Sequence, residues 1–143
     1  IDDAIEHVNL ILEDRKGSVV RHYNAARTTC LINEVHFTNV LVNILENAIK
    51  YSPGTNQINV TINIIDEKLY LAVKDFGIGI PKEQQSKIFD KFYRVPTGNI
   101  HDVKGFGLGL YYVKLIVDAH NGKIDAKSTA DKGTTFSLWL PAR

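Results

Sequence analysis

Residues 43–52 read Asn43-Ile44-Leu45-Glu46-Asn47-Ala48-Ile49-Lys50-Tyr51-Ser52. They sit inside a helical pattern in which Val35, Val40, Leu41, Ile44, Leu45, Ala48 and Ile49 recur at three- and four-residue spacing. On that helix Asn43, Asn47 and Lys50 step by four and three, so they share one narrow face, with Tyr51 next to it. A carboxamide keeps a neutral carbonyl oxygen that suits a hard cation such as magnesium, and a lysine ammonium suits phosphate oxygens. An amide-amide-lysine stripe beside an apolar face reads as the floor of a magnesium–nucleotide site. Two asparagines also suit an ordinary solvated helix face, and the stripe alone does not choose.

Working outward, 143 residues make one domain with a proper core, not two. A formal net charge of +1 gives no reason to expect a nucleic-acid surface. No apolar run approaches the roughly 18–20 residues that span a bilayer, and no signal peptide is visible, so no direct membrane contact is expected. The one cysteine, Cys30, excludes an internal disulfide and, beside Leu31 and Ile32, reads as a structural thiol. The chain has no methionine and opens on Ile1, so it is expected to be a fragment of a longer polypeptide.

Residues 1–14 alternate acid and apolar at helical spacing, with Ile1, Ile5, Val8 and Leu12 on one side. Such a helix is too short to stand alone, and it is expected to be the tail of an upstream helical region or a linker. Lys16-Gly17 is a turn, 18–23 alternates as a strand, and a second short strand is expected at 28–32. The central helix runs from about 34 to 51 and stops at Ser52-Pro53-Gly54. Strands at 57–65 and 68–74, joined through Asp66-Glu67, predict an antiparallel hairpin. A short helix is expected at 82–89, then a mobile loop at 95–104. A helix opened by Gly105-Phe106-Gly107-Leu108-Gly109 ends at Asn121-Gly122, with Leu110, Val113, Ile116, Val117 and His120 facing inward. Residues 123–128 and 134–140 close the chain as a second hairpin. Three helices against about six strands predict an α+β fold, a two-layer α/β sandwich whose mixed, mostly antiparallel sheet is covered on one face by helices.

The glycine runs admit some chemistries and exclude others. A Rossmann fingerprint needs its third glycine where Leu110 stands, and a Walker A loop fails because Ile124 follows Gly122-Lys123. Asp75-Phe76-Gly77 spells a protein-kinase metal motif, but the chain has no His-Arg-Asp loop and is too short for that fold. Glycines before a helix do bring backbone N–H groups and a positive dipole end to a phosphate. Asp75, at a strand end before Gly77 and Gly79, suits the exocyclic amine of adenine, because a carboxylate only accepts. It suits equally the N–H groups of its own turn.

Five blocks now stand in order: Asn43-x-x-x-Asn47-Ala-x-Lys50-Tyr51-Ser52, Asp75-x-Gly77-x-Gly79, Phe89-x-x-Phe92-Tyr93-Arg94, Gly105-x-Gly107-Leu108-Gly109-Leu110 and Gly133-Thr134-Thr135-Phe136. Together they resemble the catalytic, ATP-binding domain of a sensor histidine kinase of two-component signalling, in the gyrase–chaperone–kinase–mismatch-repair ATPase superfamily. The resemblance covers residues 15–143 and implies a Bergerat-type sandwich. It also implies ATP and Mg²⁺ as cofactors and an ATP lid at about 95–104. Asn47 is implied as the metal ligand, with Asn43 near the phosphates and Lys50 and Arg94 on phosphate oxygens. Tyr51 would line the nucleotide, Asp75 would receive the adenine amine with Thr134 or Thr135 nearby, and Gly77 and Gly79 would border the base. Gly105, Gly107, Leu108 and Gly109 would border the phosphates, and Phe89 and Phe92 would anchor the lid or pack in the core.

The implied reaction is transfer of the γ-phosphoryl group to a histidine. None of His7, His22, His36, His101 or His120 has the surroundings of an acceptor, so the acceptor is expected on a dimerisation domain outside this chain. A downstream response regulator, a cytoplasmic location, a membrane-anchored homodimeric parent and a monomeric fragment are implied with it. Asn43 stands where the hydrolysing branches carry glutamate, so slow ATP hydrolysis is expected. Two rivals stay open: a nucleotide-responsive interaction module without catalysis, and a serine kinase of the anti-sigma-factor type on the same fold.

Overall fold

The computed structural model describes residues 1–14, 16–24, 29–52, 57–93 and 108–142. In chain order the elements are α1 (Asp2–Asp14), β1 (Ser18–Tyr23), α2 (Glu34–Lys50), β2 (Gln57–Ile65) and β3 (Lys68–Lys74). A single 3₁₀ turn (Lys82–Gln84), α3 (Gly109–Ala119), β4 (Lys123–Thr129) and β5 (Gly133–Pro141) follow.

The five strands form one sheet in the order β1-β2-β3-β5-β4. β1 pairs parallel with β2, and every other pairing is antiparallel. Period-two alternation sends one side of the sheet inward: Ile58, Val60, Ile62, Leu71, Val73, Ile124, Ala126, Phe136, Leu138 and Leu140 are all buried. The helices cover that side, with α2 against β3 and α3 against β4. This is the expected two-layer α+β sandwich.

Local chemistry explains the element ends. Asn33 caps α2, its side chain accepting the His36 N–H at 3.0 Å. The two-residue loop between β2 and β3 places Asp66 (φ 50°) and Glu67 (φ 59°) in the left-handed region, as a tight hairpin requires. α3 stops where Asn121 turns left-handed (φ 57°) and the Gly122 N–H reaches the Val117 carbonyl at 2.9 Å. The His120 Nε2 accepts the Asn33 N–H at 3.1 Å, tying the end of α3 to the start of α2.

α2 buries Phe37, Val40, Leu41, Ile44, Leu45, Ala48 and Ile49; from Val40 to Ile49 this is the apolar period read from sequence, but Val35, expected on the same face, is 70% exposed and Phe37 packs inward instead. Fully burying each large side chain is worth roughly 1.5–3 kcal/mol, which outweighs what helix propensity contributes here. α1 joins the same core through Ala4, Ile5, Val8 and Leu12, while Ile1 is exposed.

Two expectations are corrected. Residues 29–32 form no strand: Leu31 and Ile32 are exposed, so no sheet face buries them, and the segment leads into the α2 cap instead. Thr28 lies outside the described residues. The helix expected at 82–89 is one 3₁₀ turn followed by successive turns, with Lys87 N–H on Gln84 O and Asp90 N–H on Lys87 O, both at 2.9 Å. The Gln85 side chain reaches back to the Ile80 and Ser128 carbonyls.

Candidate functional site

The stripe on α2 meets a different neighbour at each end. Near its C-terminus, the Tyr51 carbonyl accepts the Ile78 N–H at 2.9 Å, and a Cβ on Gly77 would overlap that carbonyl. Only glycine lets the turn after Asp75 lie this close to the end of α2. Eight residues earlier, about 12 Å along the helix, Asn43 touches the start of α3. A Cβ on Gly109 would lie 2.8 Å from the Asn43 Oδ1. The helix face therefore runs from the Asp75 turn to the first turn of α3.

Asp75 is the buried charge of this region, 2% exposed. Its Oδ1 accepts the Gly77 N–H at 3.0 Å and the Thr134 N–H at 3.2 Å. The reading in which Asp75 serves its own turn is thus true of Oδ1, while Oδ2 has no such bond among the described residues. Burial raises the carboxyl above its ordinary range, opposed by the Gly77 and Thr134 N–H groups and by nearby Ser52. The Ser52 hydroxyl, 4% exposed, lies close enough to favour the charged form yet makes no hydrogen bond of good geometry. Ser52 was legible in the opening stretch only as part of a helix breaker. Its polar role appears once the Asp75 turn folds over it.

Asn43 is half-buried and donates through Nδ2 to the Asn39 carbonyl at 2.8 Å, which leaves Oδ1 directed at Gly109. Asn47 is also half-buried, and its carboxamide forms no hydrogen bond among the described residues. Lys50 is exposed at the last turn, and Tyr51 caps the helix. Leu108, 39% exposed, precedes α3 without any side-chain cap, so the first-turn N–H groups keep the anion-friendly character of a helix start. Gly79, at φ 73°, turns the loop toward the end of β4.

The two threonines separate. Thr134 is buried beside Asp75, whereas Thr135 follows on the opposite, open face of the sheet with Ser137 and Trp139, so the sheet carries only Thr134 to the Asp75 side. Phe89 packs edge-on against Phe136 at 6.4 Å, as a core residue does. Phe92 does not pack in the core: it is 63% exposed at φ 64°, with the Lys91 ammonium 5.2 Å from its ring. Arg94, Gly105, Gly107 and the lid at 95–104 lie outside the described residues. Cys30 is half-buried, and that burial pushes its thiol up, away from the nucleophilic thiolate.

Two consequences of this geometry differ in sign. Gly109→Ala gains helix propensity, up to about 1 kcal/mol, but its methyl must displace the Asn43 carboxamide. The variant is expected to unfold in denaturant at an unchanged or slightly higher midpoint while losing nucleotide affinity in calorimetry. Equal affinity in the variant would separate Asn43 from the site.

Comparison with known proteins bears on the family and the fold. Residues 32–143 match the family described as histidine kinase-, DNA gyrase B-, and HSP90-like ATPase. The sensor protein RprX of Bacteroides fragilis is 43% identical over 143 residues, covering 99% of this chain and 28% of that protein. The sensor histidine kinase WalK of Bacillus subtilis is 46% identical over 112 residues, covering 77% of this chain and 18% of that protein. Among solved structures, the catalytic domain of histidine kinase ThkA in a nucleotide-free form superposes at a TM-score of 0.76, with 27% identity over 99% of this chain and 91% of that one. The mycobacterial sensor histidine kinase MprB, at 24% identity and a TM-score of 0.81 over 99% of this chain and 95% of that one, shares the fold. This chain thus spans less than a third of the length of these two sequence relatives.

Proposed function

The chain belongs to the histidine kinase-, DNA gyrase B-, and HSP90-like ATPase family, and from that premise we propose that it binds Mg²⁺–ATP and transfers the γ-phosphoryl group to a histidine. That histidine would lie on a dimerisation domain of the parent protein, in two-component signalling toward a response regulator. One observation carries the reading. A single helical face joins a buried acceptor-only carboxylate, fit for an amino base, to an uncapped helix start, fit for phosphate.

In this reading Asp75 takes the adenine amine through Oδ2, with Thr134 beside it and Gly77 and Gly79 against the base. Tyr51 lines the nucleotide. Lys50 and Arg94 neutralise phosphate oxygens, Asn43 holds its carboxamide at the start of α3, next to Leu108 and Gly109, and Gly105 and Gly107 would border the phosphates.

The donor set fits magnesium rather than a metal held by protein alone. Among the described residues no group of three or more His, Cys, Asp or Glu stands together, and the Asn47 carboxamide is unengaged. Magnesium is commonly held by one or two protein oxygens plus substrate phosphates. When bound, the ion supplies charge neutralisation on the transferring phosphate. Positioning by the protein then does most of the remaining work, since a neutral imidazole is already a competent nucleophile.

The rest of the proposal concerns the parent protein. Residues 1–14, which carry α1 (Asp2–Asp14), would be the tail of an upstream helical region or a linker, with the catalytic domain at 15–143. The domain works in the cytoplasm on a membrane-anchored, homodimeric parent, the isolated chain being a monomer. No described helix is long and apolar enough to cross a membrane.

The test is transfer itself. The chain is incubated with γ-labelled ATP and a separately supplied histidine-bearing dimerisation domain. Acid-labile label on that domain is expected, and Asn47→Asp, which sets a carboxylate against the polyphosphate, should abolish most of it. ATP binding without transfer would reduce the chain to a nucleotide-responsive module, and an acid-stable product would make it a serine kinase.

A further inference from the structure

Ser128, near the end of β4, is absorbed by none of the roles above, yet its hydroxyl stands at the crossing of three segments. It accepts the Ile80 N–H at 2.6 Å, donates to the Gly133 carbonyl at 3.0 Å and lies 2.9 Å from the Thr134 Oγ1. A serine hydroxyl has one proton and two lone pairs. The Gly133 carbonyl can only accept, so it takes the proton, and the Ile80 N–H takes one lone pair. The remaining contact is therefore a hydrogen bond donated by Thr134 to Ser128. Thr134 thus spends its only proton on Ser128, and any polar group approaching its hydroxyl oxygen meets lone pairs alone.

The same crossing holds the turn that follows Asp75. The Gln85 Nε2 donates to the Ile80 carbonyl at 2.9 Å and to the Ser128 carbonyl at 3.0 Å, clamping loop and strand from the other side. The Asp131 N–H reaches the Ile78 carbonyl at 2.8 Å. Thr134 in turn holds Asp75 through two backbone bonds, its N–H on Oδ1 at 3.2 Å and its carbonyl on the Asp75 N–H at 2.9 Å. From Ser128 to the carboxylate there is one unbroken set of hydrogen bonds.

We propose that Ser128 is a positioning residue that determines base specificity. By taking the Thr134 proton and pinning the glycine turn to the β4–β5 hairpin, it leaves the Thr134 hydroxyl beside Asp75 able to accept a hydrogen bond but not to donate one. Such a pair takes a purine that presents an amine and rejects one that presents a carbonyl at the same place, because two acceptors facing each other leave both unpaired. The proposal rests on the reading that Asp75 receives the base.

The experiment measures Kd by calorimetry for Mg²⁺–ATP, Mg²⁺–GTP and Mg²⁺–tripolyphosphate, with thermal melting alongside. Ser128→Ala and Ser128→Cys are compared with Ser128→Thr, which keeps the hydroxyl. Cysteine fills the space that alanine leaves empty, with a bulkier atom that hydrogen-bonds only weakly, so the two variants err in opposite directions on packing and share only the lost hydroxyl. The expected result is a loss of ATP-over-GTP preference of roughly tenfold or more in the Ala and Cys variants, as for one lost hydrogen bond. Tripolyphosphate affinity should be unchanged, and threonine should restore the preference. An unchanged ATP-to-GTP ratio with a lower melting temperature would overturn the proposal and leave Ser128 a structural residue. So would a parallel loss of tripolyphosphate affinity. If the unsubstituted chain bound tripolyphosphate but no nucleotide preferentially, the Asp75 reading would fall first and this one with it.

Discussion

Asp75→Asn is expected to weaken ATP binding by roughly 10- to 150-fold, the value of about 1.5–3 kcal/mol for a hydrogen bond to a charged group. The substitution keeps the shape and leaves an acceptor for the Gly77 and Thr134 N–H groups, so the turn survives. What changes is the outward atom: with the amide oxygen held by those two N–H groups, Nδ2 faces out, an uncharged donor where the adenine amine needs an acceptor. Stability should move the other way. Burial holds the Asp75 carboxyl above its ordinary range, so its contribution to folding is fully present below the unfolded-state value, about pH 3.9, and is lost as pH rises through the folded-state value. Asparagine lacks that loss. Melting scans should therefore show the variant gaining on the parent between acid and neutral pH while calorimetry shows it losing ATP. A variant that binds ATP as well as the parent would remove Asp75 from the site.

Gly77→Ala should be damaging out of proportion to its single methyl. Its Cβ would overlap the Tyr51 carbonyl and lie 2.7 Å from the Ser52 Oγ. The obstacle is backbone, which has no rotamer to yield, so the turn must move and the 2.9 Å bond from the Ile78 N–H to the Tyr51 carbonyl goes with it. Overpacking of this kind costs about 1–3 kcal/mol, which for a chain this size lowers Tm by roughly 3–12 °C. Because the displaced turn carries Asp75, nucleotide affinity should fall further than stability alone predicts, by roughly 100-fold when the bond at Asp75 and its desolvation are both lost. Circular-dichroism melting and an ATP titration on the same preparation check both numbers. A stable variant with full affinity would show that the turn does not need its close approach to α2.

Much of this was legible in sequence because it is periodic. The α2 stripe, both hairpins and the helix after Gly109 follow from three- to four-residue or two-residue spacing, and the structure places them within a residue or two. What periodicity cannot supply is the neighbour. Nothing in Ser18–Tyr23 says that it pairs in parallel with Gln57–Ile65, since that pairing joins segments 39 residues apart, as from Ser18 to Gln57. Residues 29–32 carry β-branched and apolar side chains, yet with no sheet face to bury Leu31 and Ile32 they remain a lead-in. Which of Thr134 and Thr135 lies beside Asp75 is likewise a matter of facing, and it shows only when β5 takes its register beside β3. Asp75 was readable as either a turn acceptor or a ligand acceptor, and its Oδ1 serves the turn. Ser128 left no trace at all, because a lone serine in a strand has no motif around it. Its meaning lies in contacts with residues 48 positions before it and five and six after it.

The central claim is that the α2 stripe, the Asp75 turn and the start of α3 enclose one ligand together. A titration of the ¹⁵N-labelled chain with ATP and Mg²⁺, followed by NMR, reads it most directly. The amides of Asn43, Asn47, Gly77, Gly79, Gly109 and Thr134 should shift together along one saturable curve, tighter with Mg²⁺ than without. Shifts confined to the open sheet face around Tyr70 and Trp139, or separate curves for Gly77 and Gly109, would contradict it.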